Sequence, residues 1–129
     1  MYKGKVLVVD DEHEIVKAVS MRLVADGYET IVAMDGLQAT AMAMNEQPDV
    51  IILDIGMPAG DGHTVVKRLK ESPQTWSIPI IFLTARTSEE DHKKAYEQGV
   101  DRYITKPFDS NDLVLAVDEM TKKQKQAGK

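Results

Sequence analysis

Five short apolar runs, at residues 5–10, 29–33, 50–54, 78–84 and 102–105, alternate along the chain with longer stretches whose apolar residues recur at helical spacing. Strands separated by helices cannot pair as hairpins, and the crossovers between them make neighbouring strands parallel. The pattern therefore constrains the chain to βαβ units around one parallel sheet. The first helix is expected over residues 12–26, with Ile15, Ala18, Val19 and Leu23 on one face and Gly27 as the stop. Asp35 and Gln38 resemble the reciprocal cap of a second helix, which ends near Glu46, before Pro48. A third begins at Gly62 or His63, buries Val65, Val66 and Leu69, and leaves through a loop at 71–77 in which Trp76 is expected to fold over apolar surface. Ser88 is a good N-cap for a fourth, largely polar helix with three acids in its first turn. The fifth carries Leu113, Ala116, Val117 and Met120 as one stripe.

The 129 residues suit one domain, expected over 1–122, with 123–129 a polar, lysine-rich tail or the start of a linker. No apolar stretch approaches the roughly 20 residues of a membrane span, and the first residues lead into a strand without a signal segment, so a cytoplasmic location without membrane contact is expected. The absence of cysteine excludes disulfides, thiolate metal sites and thiol catalysis. A net charge of −5 argues against direct nucleic-acid binding by this domain.

Two of the runs end in acids. Val6-Leu7-Val8-Val9 is followed by Asp10-Asp11, and Val50-Ile51-Ile52-Leu53 by Asp54. If these strands are neighbours, three carboxylates meet at the C-terminal edge of the sheet, where open α/β sheets hold their ligands. Their mutual repulsion calls for a cation, and an all-oxygen set favours Mg²⁺ or Ca²⁺ over zinc or copper. Thr84 and Lys106 close two further strands at the same edge, a hydroxyl donor and a cation suited to a phosphoryl group.

Asp10-Asp11, the segment Asp54-Ile55-Gly56-Met57-Pro58-Ala59-Gly60-Asp61-Gly62, Thr84-Ala85 and Lys106-Pro107-Phe108 resemble, in order and spacing, the receiver domains of response regulators in two-component signalling. The resemblance implies a flavodoxin-like (βα)5 fold with a five-stranded parallel sheet in the order 2-1-3-4-5. It also implies that Asp54 accepts a phosphoryl group from a histidine kinase or histidine phosphotransfer protein in a Mg²⁺-dependent transfer. Asp11, Asp54 and the carbonyl of Gly56 would bind the metal, with Asp10 acting through water. Lys106 and Thr84 would contact the phosphoryl group, Thr84 and Tyr103 would form the switch, and Pro107 would follow a cis peptide bond. Gly56 and Arg86 would tune dephosphorylation. The domain would catalyse only its own phosphorylation and dephosphorylation. Output would pass through the face of the fourth helix, fifth strand and fifth helix, to a target protein, a fused output domain or a phosphorylation-dependent homodimer.

Two other readings fit less well. Mg²⁺-dependent phosphohydrolases that work through an aspartyl-phosphate place a second Asp two residues after the nucleophile, where this chain has Gly56. Flavin and nucleotide carriers cradle phosphate in loops rich in Gly, Ser or Thr, whereas the first loop here reads Asp10-Asp11-Glu12-His13-Glu14. The three histidines are expected to be structural or superficial, with His63 and His92 on exposed helix turns.

Overall fold

The computed structural model describes residues 1–127. The elements are β1 (Lys5–Val9), α1 (His13–Ala25), β2 (Glu29–Ala33), α2 (Gly36–Glu46), β3 (Val50–Leu53), α3 (Gly62–Lys70), β4 (Ile80–Thr84), α4 (Glu89–Gln98), β5 (Arg102–Thr105) and α5 (Ser110–Ala127). All strand pairs are parallel and the order is β2-β1-β3-β4-β5, so the fold is the flavodoxin-like one expected. Side chains alternate between the two faces of each strand. Leu7, Val9, Ile51, Leu53, Ile80 and Phe82 pack on the side that carries α2, α3 and α4. Val6, Val8, Val50, Ile52, Ile81 and Leu83 face α1 and α5, where Leu113, Ala116, Val117 and Met120 are all buried. Covering both faces is what makes the three central strands read as unbroken apolar runs.

Local chemistry sets the helix ends. The Asp35, Asp61 and Ser88 side chains each accept a bond from the backbone N–H three residues on, at 2.8, 3.0 and 3.1 Å. Gln38 returns the contact of the first cap by accepting from Met34 N at 2.8 Å. Strands β1 and β3 end one residue earlier than expected, but Asp10 N and Asp54 N still donate to Ala33 O and Val9 O. Both acids therefore leave the sheet with a fixed direction. β4 starts at Ile80 rather than at residue 78, because Pro79 has no N–H to offer a ladder.

Two expectations are corrected. Trp76 is 59% exposed rather than folded over apolar surface. The turn at Ser72 to Trp76 instead points Thr75 inward, where its hydroxyl donates to Leu69 O at 2.7 Å. His63 is buried between α3 and α4 because two side chains of α4 supply partners for its ring; His92 is exposed as expected. α5 continues without a break through Ala127, so most of the lysine-rich tail lies on the helix, with Lys123 paired to Asp101 at 2.9 Å. Gly128 and Lys129 of that tail lie outside the described residues. No helix among the described residues is long and apolar enough to cross a membrane.

Candidate functional site

Adjacency of β1 and β3 brings Asp10 and Asp54 together at the C-terminal edge, and both carboxylates are buried. Lys106 arrives from the end of β5. Its Nζ lies 2.8 Å from Asp10 Oδ2, 2.7 Å from Glu12 Oε2 and 3.6 Å from Asp54 Oδ2. Asp10 Oδ1 also accepts from Glu12 N at 3.0 Å, which turns the loop back over the site.

One ammonium is thus shared by three carboxylates. Burial pushes the Asp10 carboxyl up, and the neighbouring Asp54 adds to this, against the bonds from Lys106 and Glu12 N. Burial opposes the charge of Lys106 as well, yet its pKa is raised, because the bonds to Asp10 and Glu12 and the charge of Asp54 outweigh it. A simple ion pair would lower the acid and raise the base. Here burial is the largest cause at Asp10, while at Lys106 the bonds and charges of the carboxylates outweigh burial, so one cation among three carboxylates leaves both groups raised. Asp10, Glu12 and Asp54 each offer one oxygen within 4.8 Å of the others. An oxygen-only, net-negative set of this kind fits a hard divalent cation.

The loop from β3 to α3 is held by close backbone contacts. Gly62 N donates to Ile55 O at 2.7 Å, and a Cβ on Gly62 would lie 2.7 Å from both Asp54 O and Ile55 Cα. On the other side a Cβ at Gly36 would meet Gly60 O at 2.5 Å. Only glycine admits either approach. Gly56 N points at Asp54 Oδ1 at 3.4 Å, and its exposed α-carbon faces the Arg86 guanidinium, 3.7 Å from where a Cβ would stand.

Thr84 is buried at the end of β4, with its Oγ1 accepting from Arg86 N at 3.3 Å. Tyr103 is half-buried on β5 and its hydroxyl donates to Arg86 O at 2.9 Å. Its ring packs edge-on to Phe82 and stacks on His92 of α4. Burial, with Asp91 nearby, raises the phenol's pKa. The Lys106–Pro107 bond is cis. The residues singled out from the sequence therefore share one edge, with Arg86 linking Gly56, Thr84 and Tyr103. Asp11 is the exception, exposed and outside the carboxylate group. Glu12, not singled out from the sequence, takes a place in that group. The only signal for it was a third consecutive acid, and a loop sequence does not show which of three adjacent acids turns inward.

Residues 6–118 match the family of the response regulator receiver domain. The chain is 40% identical over 119 residues to the response regulator PleD of Caulobacter vibrioides, covering 92% of this chain and 26% of that protein. It is 38% identical over 113 residues to the DNA-binding dual master transcriptional regulator RpaA of Synechocystis, covering 88% of this chain and 47% of that one. The chain thus spans between a quarter and a half of these relatives. Among solved structures, the receiver domain of the Francisella response regulator 1452 superposes with a TM-score of 0.86 at 34% identity, covering 93% of this chain and 98% of that one. The chemotaxis response regulator CheY4 of Vibrio cholerae gives 0.83 at 36% identity, covering 90% and 97%.

Proposed function

Because the chain belongs to the response regulator receiver domain family of two-component signalling, we propose that its carboxylate site is a phosphorylation switch with Asp54 as the acceptor. The observation that carries this reading is the buried Asp54 at the strand edge, beside an ammonium shared with Asp10 and Glu12. An Asp54 oxygen forms the new P–O bond while the P–N bond of a phosphohistidine breaks. The electron pair goes to the leaving imidazole, which takes up a proton from solvent. The donor is a histidine kinase or a histidine phosphotransfer protein.

Asp10, Glu12 and Asp54 are the carboxylates that converge, and Asp11 and the Gly56 carbonyl come from the same two loops, so these residues would hold Mg²⁺. When bound, the ion offsets the negative charge of acceptor and phosphoryl oxygens. Lys106 holds its proton firmly and balances the phosphoryl charge, and Thr84 exchanges its contact with Arg86 N for a bond donated to a phosphoryl oxygen. That movement draws on the same loop to which the Tyr103 hydroxyl is bonded, which is how a change at Asp54 reaches the α4-β5-α5 face. The state change is a shift between two existing arrangements. Output passes from that face to a target protein, a fused output domain or a second copy. The chain turns over only its own phosphoryl group.

The test is incubation with a small phosphodonor, with and without Mg²⁺, read by intact mass. A gain of one phosphoryl group that requires Mg²⁺ and disappears in Asp54→Asn is expected. No gain, or labelling that survives in Asp54→Asn, refutes the assignment.

A further inference from the structure

His63 follows Gly62 at the start of α3, and the residue is 3% exposed in the seam with α4. Nδ1 lies 2.8 Å from Gln98 Oε1 and Nε2 lies 2.9 Å from Asp91 Oδ1. These partners stand in the first turn and at the last residue of α4. Gln98 is oriented by a second contact, since its Nε2 donates to His63 O at 3.1 Å, so its oxygen faces the ring. Asp91 has no proton to offer. Its bond from His63 foremost, with one from Ser88, holds its carboxyl below the ordinary range. Both ring nitrogens therefore meet acceptors, and only an imidazolium, with two N–H groups, satisfies both.

The same ring touches the aromatic side of the switch. It packs edge-on to Phe82 with centroids 5.4 Å apart, Phe82 packs edge-on to Tyr103 at 5.8 Å, and Tyr103 stacks on His92 at 3.8 Å. We propose that His63 is a positioning residue for the switch: as an imidazolium it ties both ends of α4 to α3, and loss of its proton frees the Gln98 end. This deepens the phosphorylation reading and rests on it for its signalling consequence.

A neutral ring keeps one N–H. The carboxylate is the stronger acceptor, so the proton stays on Nε2 and Nδ1 then faces Gln98 Oε1 lone pair to lone pair. Gln98 escapes only by giving up its bond to His63 O. The charges around the ring are Asp61 at the start of α3 and Arg86 in the loop before α4, which stands 3.9 Å from Asp91. From α4 itself come Asp91, Glu90, Lys93, Lys94 and Glu97. These side chains carry four negative and three positive charges, so a protonated ring brings the groove to neutrality. Burial raises the Asp61 pKa, but the Thr64 contacts, with the charges of His63 and Lys94, outweigh this and the net shift is downward.

The test is to follow the ring nitrogens of the unphosphorylated 129-residue chain by NMR from about pH 5 to about pH 9, together with Gln98 and Tyr103. Both nitrogens are expected to be protonated at the acid end. As the pH rises Nδ1 loses its proton, and the Gln98 and Tyr103 signals move with the same midpoint. His92 stacks on Tyr103, so the coupled movement is expected to persist in His92→Gln and to vanish in His63→Phe, whose ring fills the same seam. Gln98→Glu supplies a second carboxylate and raises the midpoint by about one pH unit. A ring that is neutral throughout, Tyr103 movement that survives in His63→Phe, or an unmoved midpoint in Gln98→Glu each overturns the proposal. With a small phosphodonor and Mg²⁺, the Tyr103 response is expected to be larger when the ring is neutral, and equal responses at both ends of the range remove the positioning role. Failure to label Asp54 would refute the phosphoacceptor reading, while the brace would still be decided by the unphosphorylated titration.

Discussion

Gly62→Ala tests whether Asp54, the proposed phosphoacceptor, is positioned by backbone contact. The added methyl would stand 2.7 Å from Asp54 O and from Ile55 Cα, and 3.2 Å from Asp54 C. None of these is the end of a flexible side chain. Reaching ordinary contact distance, about 3.4 Å or more, means moving one backbone segment by about 0.7 Å. The Gly62 N–H···Ile55 O bond, at 2.7 Å, resists that separation. Overpacking of this kind costs about 1–3 kcal/mol, and weakening the bond adds about 0.5–1.5 kcal/mol. Because the site is the first residue of α3, little helix propensity is regained. The expected loss is about 2–4 kcal/mol in urea denaturation. Tm should fall by roughly 3–5 °C for each kcal/mol in a domain of this size. Gly56→Ala is the control, since its methyl would meet only Arg86 side-chain atoms at 3.7 Å, and it should change stability by less than about 0.5 kcal/mol. If Gly62→Ala were as stable as the control, the close approach would not be what fixes the loop that carries Asp54.

Lys106→Met removes the one cation shared by three carboxylates; breaking a buried ion pair in this way typically costs about 3–5 kcal/mol. Added Mg²⁺ should restore more stability to the variant than to the parent in urea denaturation, and equal restoration would contradict the charge imbalance argued for the site. Tyr28, 1% exposed, is pushed up to about 12, by burial foremost and then by its bond to Asp118. The folded state therefore holds this proton more tightly than the unfolded chain. The associated stability is complete below about pH 10 and lost as the pH rises through about 12, roughly 2–3 kcal/mol in all. Alkaline denaturation should show this slope, and Tyr28→Phe should flatten it. Gly56 faces Arg86, and its N–H stands 3.4 Å from Asp54 Oδ1, so on the proposed reading Arg86→Ala and Gly56→Asn should each change the dephosphorylation rate several-fold. Rates equal to the parent's would remove both from any role in the lifetime of the phosphoryl group.

The elements legible in the sequence are those whose causes are local or periodic. Continuous apolar runs marked β1, β3 and β4 because each is covered on both faces, and Asp35 and Ser88 marked helix starts because a capping side chain bonds to N–H groups three residues away. Strand order followed from the resemblance, and the adjacency of Asp10 and Asp54 followed from strand order. What could not be read depends on contacts between distant segments. His63 looks like a superficial residue of a helix turn until Asp91 and Gln98, 28 and 35 residues away, close over it. Trp76 reads as a ring that folds over apolar surface, but the turn that starts at Ser72 gives the interior position to Thr75. The choice of Glu12 rather than Asp11 beside Lys106 likewise involves an ammonium that arrives from 94 residues away.

That choice bears on how the switch would work. Lys106 lies within bonding distance of Asp10 and Glu12 but stands farther off, at 3.6 Å, from Asp54. Asp54 is therefore the least engaged of the three carboxylates, and on the proposed reading its lone pairs remain available for a bond to phosphorus. A phosphoryl group there adds negative charge and competes for the ammonium. The three contacts are not equally hard to break. The Asp10 carboxylate is almost sealed from water, with 3% of its side chain exposed, whereas Glu12 is 58% exposed and is rehydrated at little cost. Lys106 should therefore turn toward the phosphoryl group by leaving Glu12 first while keeping Asp10. A crystal structure of the phosphorylated protein should then show Lys106 Nζ still within bonding distance of Asp10 and withdrawn from Glu12, where the two contacts now stand at 2.8 and 2.7 Å. If Lys106 kept Glu12 and left Asp10, the ordered release of Lys106 would be wrong.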